Sequence, residues 1–165
     1  MKEFTTTSPQ QTKNLAQKIA SDFKGGEILC LSGDLGAGKT TFTQGLLKAL
    51  SAEGPYTSPT FNIIKEYRLT TNNLRPTTEL SGFKNQKKLH VVSCQLSVIF
   101  HIDTYRIKAD DLRELGFLDF AGKPNTVTII EWPENVKDII PDSAIWLNFE
   151  WLDENKRKIT SNIEI

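Results

Sequence analysis

Gly33-Asp34-Leu35-Gly36-Ala37-Gly38-Lys39-Thr40 fits the G-x-x-x-x-G-K-[ST] phosphate-binding pattern at every position, and its flanks constrain the fold as strongly as the string itself. Glu27 to Leu31 reads as a short buried strand entering the loop, and Thr41 to Leu50 has helical spacing leaving it. Glycines let such a loop curl until successive N–H groups face phosphate oxygens, and the following helix adds a positive partial charge at its N-terminus. Lys39 then supplies a point charge for the β and γ phosphates, and the Thr40 hydroxyl is offered to Mg²⁺. An ordinary Gly-rich turn would leave Lys39 at the mouth of a buried strand unexplained. The expected ligand is a nucleoside triphosphate with Mg²⁺. The expected fold is α/β, a three-layer sandwich of the P-loop NTPase type with a mostly parallel central sheet and antiparallel C-terminal strands.

A chain of 165 residues supports one domain, residues 1–165, with a sizeable core. Twenty basic side chains balance twenty acidic ones, so net charge advertises neither a nucleic-acid surface nor an anionic membrane. The polar start Met1-Lys2-Glu3-Phe4-Thr5 is unlike a secretory signal, and no apolar run reaches membrane-spanning length, so a cytoplasmic protein is expected. Cys30 and Cys94 each lie in an apolar stretch and read as buried thiols. His90 and His101 have no Cys or His at ligand spacing, so no metal beyond Mg²⁺ is expected.

Lys2 to Thr6 reads as a first strand, and Ser8 as the N-cap of a helix with Pro9 in its first turn. Leu15, Ile19 and Phe23 trace an apolar face reaching about Asp22, and Gly25-Gly26 ends the helix. After the phosphate loop and its helix, Thr57 to Phe61 is an extended loop leading into a strand from Asn62 to Leu69. Thr70 to about Lys88 is rich in Thr, Asn, Lys, Gly and Pro and reads as a surface excursion. Val91 to Asp103 forms one long or two short strands, Ala109 to Leu115 a short helix closed by Gly116, and Thr126 to Ile130 a β-branched buried strand. Ala144 to Trp151 and Lys158 to Ile165 alternate as a terminal antiparallel pair.

Mg²⁺ at a phosphate loop normally draws on a carboxylate too, and open α/β sheets place ligands beyond the carboxyl ends of their strands. Glu131 stands directly after Val127-Thr128-Ile129-Ile130 and fits that place. Asp103, ending Ile99-Phe100-His101-Ile102, is a second candidate, able to hold a metal-bound water, position an attacking water or accept its proton. Its bland reading is a turn cap or an ion pair with Arg106, and for Arg106 a structural role is preferred over charge stabilisation. Trp132 reads as core, as a neighbour of the nucleotide or as partner surface. Thr57, Ser58 and Thr60 occupy the region that in many nucleotide switches senses the γ-phosphate.

Together these segments resemble the TsaE (YjeE) family of bacterial ATPases of tRNA threonylcarbamoyladenosine (t6A) biosynthesis. The likeness is carried by Gly33 to Thr41, Ser58-Pro59-Thr60-Phe61, His101-Ile102-Asp103-Thr104-Tyr105-Arg106, Asp111 to Gly116, and Ile130-Glu131-Trp132-Pro133-Glu134. The resemblance implies that Leu35, Gly36, Ala37, Gly38, Lys39, Thr40 and Thr41 hold ATP. It further implies that Thr40 and Glu131 bind Mg²⁺, that Lys39 and Asp103 act in hydrolysis, that Thr12 lies near the adenine, and that Trp132 stands beside the metal-binding acid. Ser58 to Phe61 corresponds to the family's switch-like segment. The family works with TsaB and TsaD subunits that install threonylcarbamoyl on adenosine 37 of tRNAs reading codons beginning with A. Similar partners are therefore implied, with tRNA contacted indirectly and hydrolysis supporting turnover of the partner complex; slow activity alone is expected.

The chain departs from the family in the connection after Tyr67, which is longer by about twenty residues at roughly positions 70–90, a basic insertion through Lys84, Lys87 and Lys88 that reads as a solvated loop. A small-molecule or nucleoside kinase also combines a phosphate loop with strand-end acids, although no arginine-rich lid is evident. A nucleotide-binding scaffold that does not hydrolyse is a third reading.

Overall fold

The computed structural model describes residues 2–59, 62–69 and 96–163. The insertion expected at 70–90, Cys94, His90, Thr60 and Phe61 lie outside the described residues. In chain order the elements are β1 (Lys2–Thr6), α1 (Pro9–Ala20), β2 (Ile28–Gly33), α2 (Lys39–Ala49), β3 (Ile64–Arg68) and β4 (Val98–Asp103). They continue with α3 (Ala109–Glu114), α4 (Phe117–Phe120), β5 (Thr126–Glu131), a 3-10 segment (Pro133–Ile139), β6 (Ile145–Trp151) and β7 (Arg157–Ser161). One seven-stranded sheet runs in the order β1-β7-β6-β2-β5-β4-β3. Its four central strands β6, β2, β5 and β4 are mutually parallel, while β3, β7 and β1 pair antiparallel at the flanks.

β2 and β5 are buried on both faces, whereas β6 exposes Asn148, Glu150 and Trp151, so alternate residues of the central strands feed two cores. Leu29, Leu31, Ile99, Val127 and Ile129 face a core with α1 and α2 through Ala16, Ile19, Phe42 and Leu46. Ile28, Cys30, Ile102 and Ile130 face the other side, against Leu112 of α3, Phe117 of α4 and Val136 of the 3-10 segment. The result is helices, sheet, helices. Contact between α1 and α2 is unusually close: a Cβ on Gly45 would stand 2.6 Å from Lys13 Cα.

Local chemistry explains where the boundaries fall. Ser8, in an extended conformation, accepts a hydrogen bond from Gln11 N at 3.2 Å, with Pro9 in the first turn. The helix stops at Ala20 rather than Asp22, because Ser21 caps it and turns its hydroxyl onto Lys18 O at 2.6 Å. β3 begins at Ile64, two residues later than the alternation suggests, since Asn62 N and Ile63 N both donate to Pro59 O and Ile63 takes a left-handed φ of 60°. β7 ends at Ser161, where Asn162 turns to bond Trp146 O and Ala144 O instead of continuing the ladder. Gly116, at φ 80°, separates α3 from a single further turn, α4. Elements as short as α4 and the 3-10 segment carry too little periodicity to be read from sequence.

Candidate functional site

Strand parity delivers the polar groups of β4 and β5 to one place. His101 and Asp103 share the face of Ile99, and Glu131 shares that of Val127 and Ile129, so all three lie on the side where α2 begins. In the parallel register Asp103 is the partner of Glu131, at the carboxyl ends of both strands. β2 lies on the other side of β5 and ends at Gly33, the first residue of the phosphate loop. The loop and both acids are thus gathered at one edge of the sheet.

The loop has the backbone that only glycine tolerates. Gly33 adopts φ +125° while its Cα approaches β6 so closely that a Cβ would stand 2.1 Å from Phe149 O. Gly38, the residue before α2, adopts φ +106°. Leu35 is 90% exposed at the tip, Gly36 is exposed, Ala37 is buried in the core, and Thr40 and Thr41 are half-buried on the first turn of α2. Lys39 is buried; its ammonium donates to Gly33 O and, at 2.9 Å, to Asp34 O. The Trp132 ring lies 3.8 Å from the same ammonium, close enough for a cation–π contact. Burial pushes the Lys39 ammonium below the ordinary lysine range, opposed by the negative charges of Glu131, Glu134, Asp103 and Asp34 around it.

Glu131 is the hub of the acidic side. Its Oε1 pairs with His101 Nε2 at 2.8 Å, and its Oε2 accepts from the Thr40 hydroxyl at 3.4 Å. Glu131 is only 3% exposed. Asp103, 7% exposed, takes the Tyr105 N–H on Oδ1 at 3.0 Å, while its own N–H is held by Ile63 O at 2.9 Å. The turn-cap geometry expected as the bland reading of Asp103 is therefore present, and Ile63, just before β3, is tied to the strand that carries this acid.

Trp132 breaks β5 by adopting a left-handed conformation (φ 62°, ψ 44°), an unusual state for a bulky residue. Several bonds hold it there. Its N–H reaches Leu31 O at 3.3 Å, its carbonyl accepts from the Thr104 hydroxyl at 2.6 Å, and its ring packs 5.0 Å from that of Tyr105. The turn swings the indole over Lys39 and sets Glu134 where it accepts from the Ser32 hydroxyl.

Other candidates are placed differently. Thr12 is buried, and its hydroxyl is shared with Thr6 Oγ1 at 2.8 Å and Ser8 O at 3.4 Å. Among the described residues Arg106 is exposed and makes no ion pair, so the pairing with Asp103 offered by spacing does not form. In the Thr57–Phe61 loop, Thr57 Oγ1 accepts from Lys65 at 2.7 Å and Thr57 O accepts from Tyr67 OH at 3.0 Å. Cys30 is a buried free thiol, its pKa raised to about 12 by burial and the nearby Glu134 charge.

Two neighbours of the site escape a reading of the sequence. Arg157, at the start of β7, lays its side chain 3.7 Å from where a Gly38 Cβ would stand, while its guanidinium donates to Asp153 O at 2.7 Å. Nothing in the local pattern links position 157 to position 38. His101 had a signal, its i,i+2 spacing to Asp103, but spacing alone does not show that it reaches Glu131 across the register.

The family model "Threonylcarbamoyl adenosine biosynthesis protein TsaE" matches residues 6–79 and 83–159. The tRNA threonylcarbamoyladenosine biosynthesis protein TsaE of Aquifex aeolicus is 36% identical over 163 residues, spanning 96% of this chain and 94% of the relative. Its counterpart from Bacillus subtilis is 31% identical over 96% of this chain and 83% of its own length. The crystal structure of Bacillus subtilis YdiB superposes with a TM-score of 0.66 at 27% identity, covering 97% of this chain and 83% of the other. On the family match, the extent of these alignments and the shared fold, the chain belongs to the TsaE family of threonylcarbamoyl adenosine biosynthesis proteins.

Proposed function

We propose that this chain is a Mg²⁺-dependent ATPase, slow on its own, that serves t6A formation at adenosine 37 of tRNAs reading codons beginning with A. In this reading it cycles a complex of TsaB-like and TsaD-like subunits and meets tRNA only through them. The observation that carries the ATPase assignment is the meeting of Thr40 Oγ1 with Glu131 Oε2 at 3.4 Å, which brings a phosphate-loop hydroxyl and a strand-end carboxylate side by side. Hard oxygen donors of this kind suit Mg²⁺, which is usually held by one or two protein groups, waters and substrate phosphate.

Bound Mg²⁺ would neutralise charge on the β and γ phosphate oxygens. The backbone of Leu35 to Thr41 would cradle the phosphates, with Gly36 (φ +79°) and Gly38 keeping the curl open. Lys39, already close to the loop carbonyls, would exchange Gly33 O and Asp34 O for phosphate oxygens. Thr40 and Glu131 would hold the metal, and Asp103 would orient the attacking water or take its proton. Trp132 would cover the lysine and limit water at the phosphates. Thr12 keeps its place near the adenine on the resemblance alone, since its hydroxyl bonds within the chain.

Phosphate release from ATP and equilibrium binding of ATP test the assignment together. Lys39→Ala is expected to weaken ATP binding by about 100-fold or more, because a charge-assisted contact to phosphate is lost. Hydrolysis at the parent rate in that variant would show the site to be wrongly placed. Co-purification of the parent with TsaB- and TsaD-like proteins in ATP but not in ADP tests the partner cycle.

A further inference from the structure

We infer that His101 is a positioning residue for the Glu131 carboxylate, fixing which of its two oxygens faces Thr40 and thereby setting the affinity of this site for a divalent cation. The inference rests on the proposed Mg²⁺ role of Thr40 and Glu131 and goes beyond it, because His101 bonds the other oxygen of the carboxylate, Oε1, and not the one that meets Thr40. Glu131 divides its oxygens between two partners: Oε1 meets His101 Nε2 at 2.8 Å, and Oε2 meets Thr40 Oγ1 at 3.4 Å. A carboxylate at a strand end can otherwise rotate about its last bond. The contact at Oε1 removes that freedom and leaves Oε2 aimed at the first turn of α2.

The surroundings of His101 favour this role over a packing role. The ring is 1% exposed, and among the described residues its Nδ1 has no hydrogen-bond partner. A buried polar atom without a partner is costly, and a stranded donor costs more than a stranded lone pair. Of the two neutral tautomers, the one with hydrogen on Nε2 fits these surroundings, because it gives its N–H to Glu131 and leaves Nδ1 as a bare lone pair. A phenyl ring would fill the same volume with no stranded atom. The imidazole is kept at a price that only the bond to Glu131 offsets. Groups that hold a metal-binding carboxylate or imidazole from behind commonly alter metal affinity 10–100-fold when removed.

The test measures binding of the non-hydrolysable analogue adenylyl imidodiphosphate by calorimetry, in EDTA and across a MgCl₂ series. His101→Phe removes the donor and keeps the ring, His101→Asn withdraws the donor from reach, and His101→Gln retains a donor near the Nε2 position. The Phe and Asn variants are expected to need about tenfold more Mg²⁺ for half of its effect on binding, with affinity in EDTA within about twofold of the parent. The Gln variant is expected to return to within about threefold of the parent midpoint. A parent midpoint in whichever of the Phe and Asn variants folds would overturn the inference, as would an equal loss of affinity in EDTA, which marks a merely structural residue. Glu131→Gln separates the two readings: if the parent itself shows no Mg²⁺ effect, or Glu131→Gln keeps it, the metal assignment fails and the role of His101 falls with it. A measurement on the unmutated position uses ¹⁵N spectra of the imidazoles in a His90→Gln background. The Nε2–H tautomer is expected, with a shift on adding analogue with Mg²⁺ and none with EDTA; an Nδ1–H tautomer would overturn the inference.

Discussion

The two faces of the sheet are made from the same strands, yet they differ in what they carry. On the side of α1 and α2, the apolar residues of β4 and β5 give way at the carboxyl ends to His101, Asp103 and Glu131, all buried and bonded. On the side of α3 and α4, the same strands end in Ile102 and Ile130, and the polar atom of Cys30 is a thiol held neutral by burial. Buried carboxylates are confined to the face where α2 begins, where Thr40, His101 and the Tyr105 N–H supply their hydrogen-bond partners. The other face is closed by short pieces, α3, α4 and the 3-10 segment, over a mostly apolar surface whose buried hydroxyls, Thr126 and Thr128, carry no charge; Thr126 gives its hydrogen bond to the Phe120 and Lys123 carbonyls.

The sharpest way to break this division is to cut matched aromatic side chains on the two sides. Phe117→Ala and Phe42→Ala each remove a fully buried ring and should each lower unfolding free energy by about 3–5 kcal/mol in denaturant titration. Phe42 belongs to α2 and packs edge-on against Phe149 at 5.4 Å, beside the strand that Gly33 approaches. ATP affinity of the folded molecules should therefore fall for Phe42→Ala and stay at the parent value for Phe117→Ala. Equal losses of affinity would show that the faces are not independent.

A smaller effect is expected from Gly45→Ala, which places a Cβ against the Lys13 backbone and must push α1 from α2. Overpacking of this kind costs about 1–3 kcal/mol, opposed by the better helix propensity of alanine. A variant as stable as the parent would mean that the α1–α2 contact yields more easily than its geometry implies. A last effect, seen only at alkaline pH, concerns Cys30, whose pKa is raised from 9.0 to about 12. The folded chain then holds this proton longer than the unfolded chain, so the stability linked to the thiol is full below pH 9 and declines as pH rises towards about 12. The stability difference between the parent and Cys30→Ala should shrink in the parent's disfavour above pH 9, measured by urea titration; a difference independent of pH would contradict burial of a neutral thiol.

Much of the frame was legible because local rules and tertiary packing agree in it. Ser8 with Pro9, the β-branched run from Thr126, and the alternation of β6 and β7 each reported their element, since each pattern is repeated over several residues. Glu131 was legible as an acid at a strand end. Failures came where the outcome depends on one backbone torsion or one distant neighbour. Ile63 and Trp132 take left-handed conformations that their residue types disfavour, and no local preference announces them. Arg106 failed in the opposite sense: its spacing to Asp103 suggested an ion pair, but the Asp103 carboxylate is drawn into the turn by the Tyr105 N–H instead.

The sequence by itself determined a phosphate loop, the strand and helix that flank it, and the residue types at the strand ends, because those follow from short patterns of glycine, charge and apolar periodicity. Tertiary structure alone decided that Thr40 and Glu131, 91 residues apart, share a hydrogen bond, that His101 grips the far oxygen of the same carboxylate, and that Trp132 lies over Lys39. The physical reason is register. Parallel pairing sets the ends of β4 and β5 level at Asp103 and Glu131 and carries β2 two residues further, to Gly33, and no local pattern in any one strand encodes which residue of its neighbour will stand beside it.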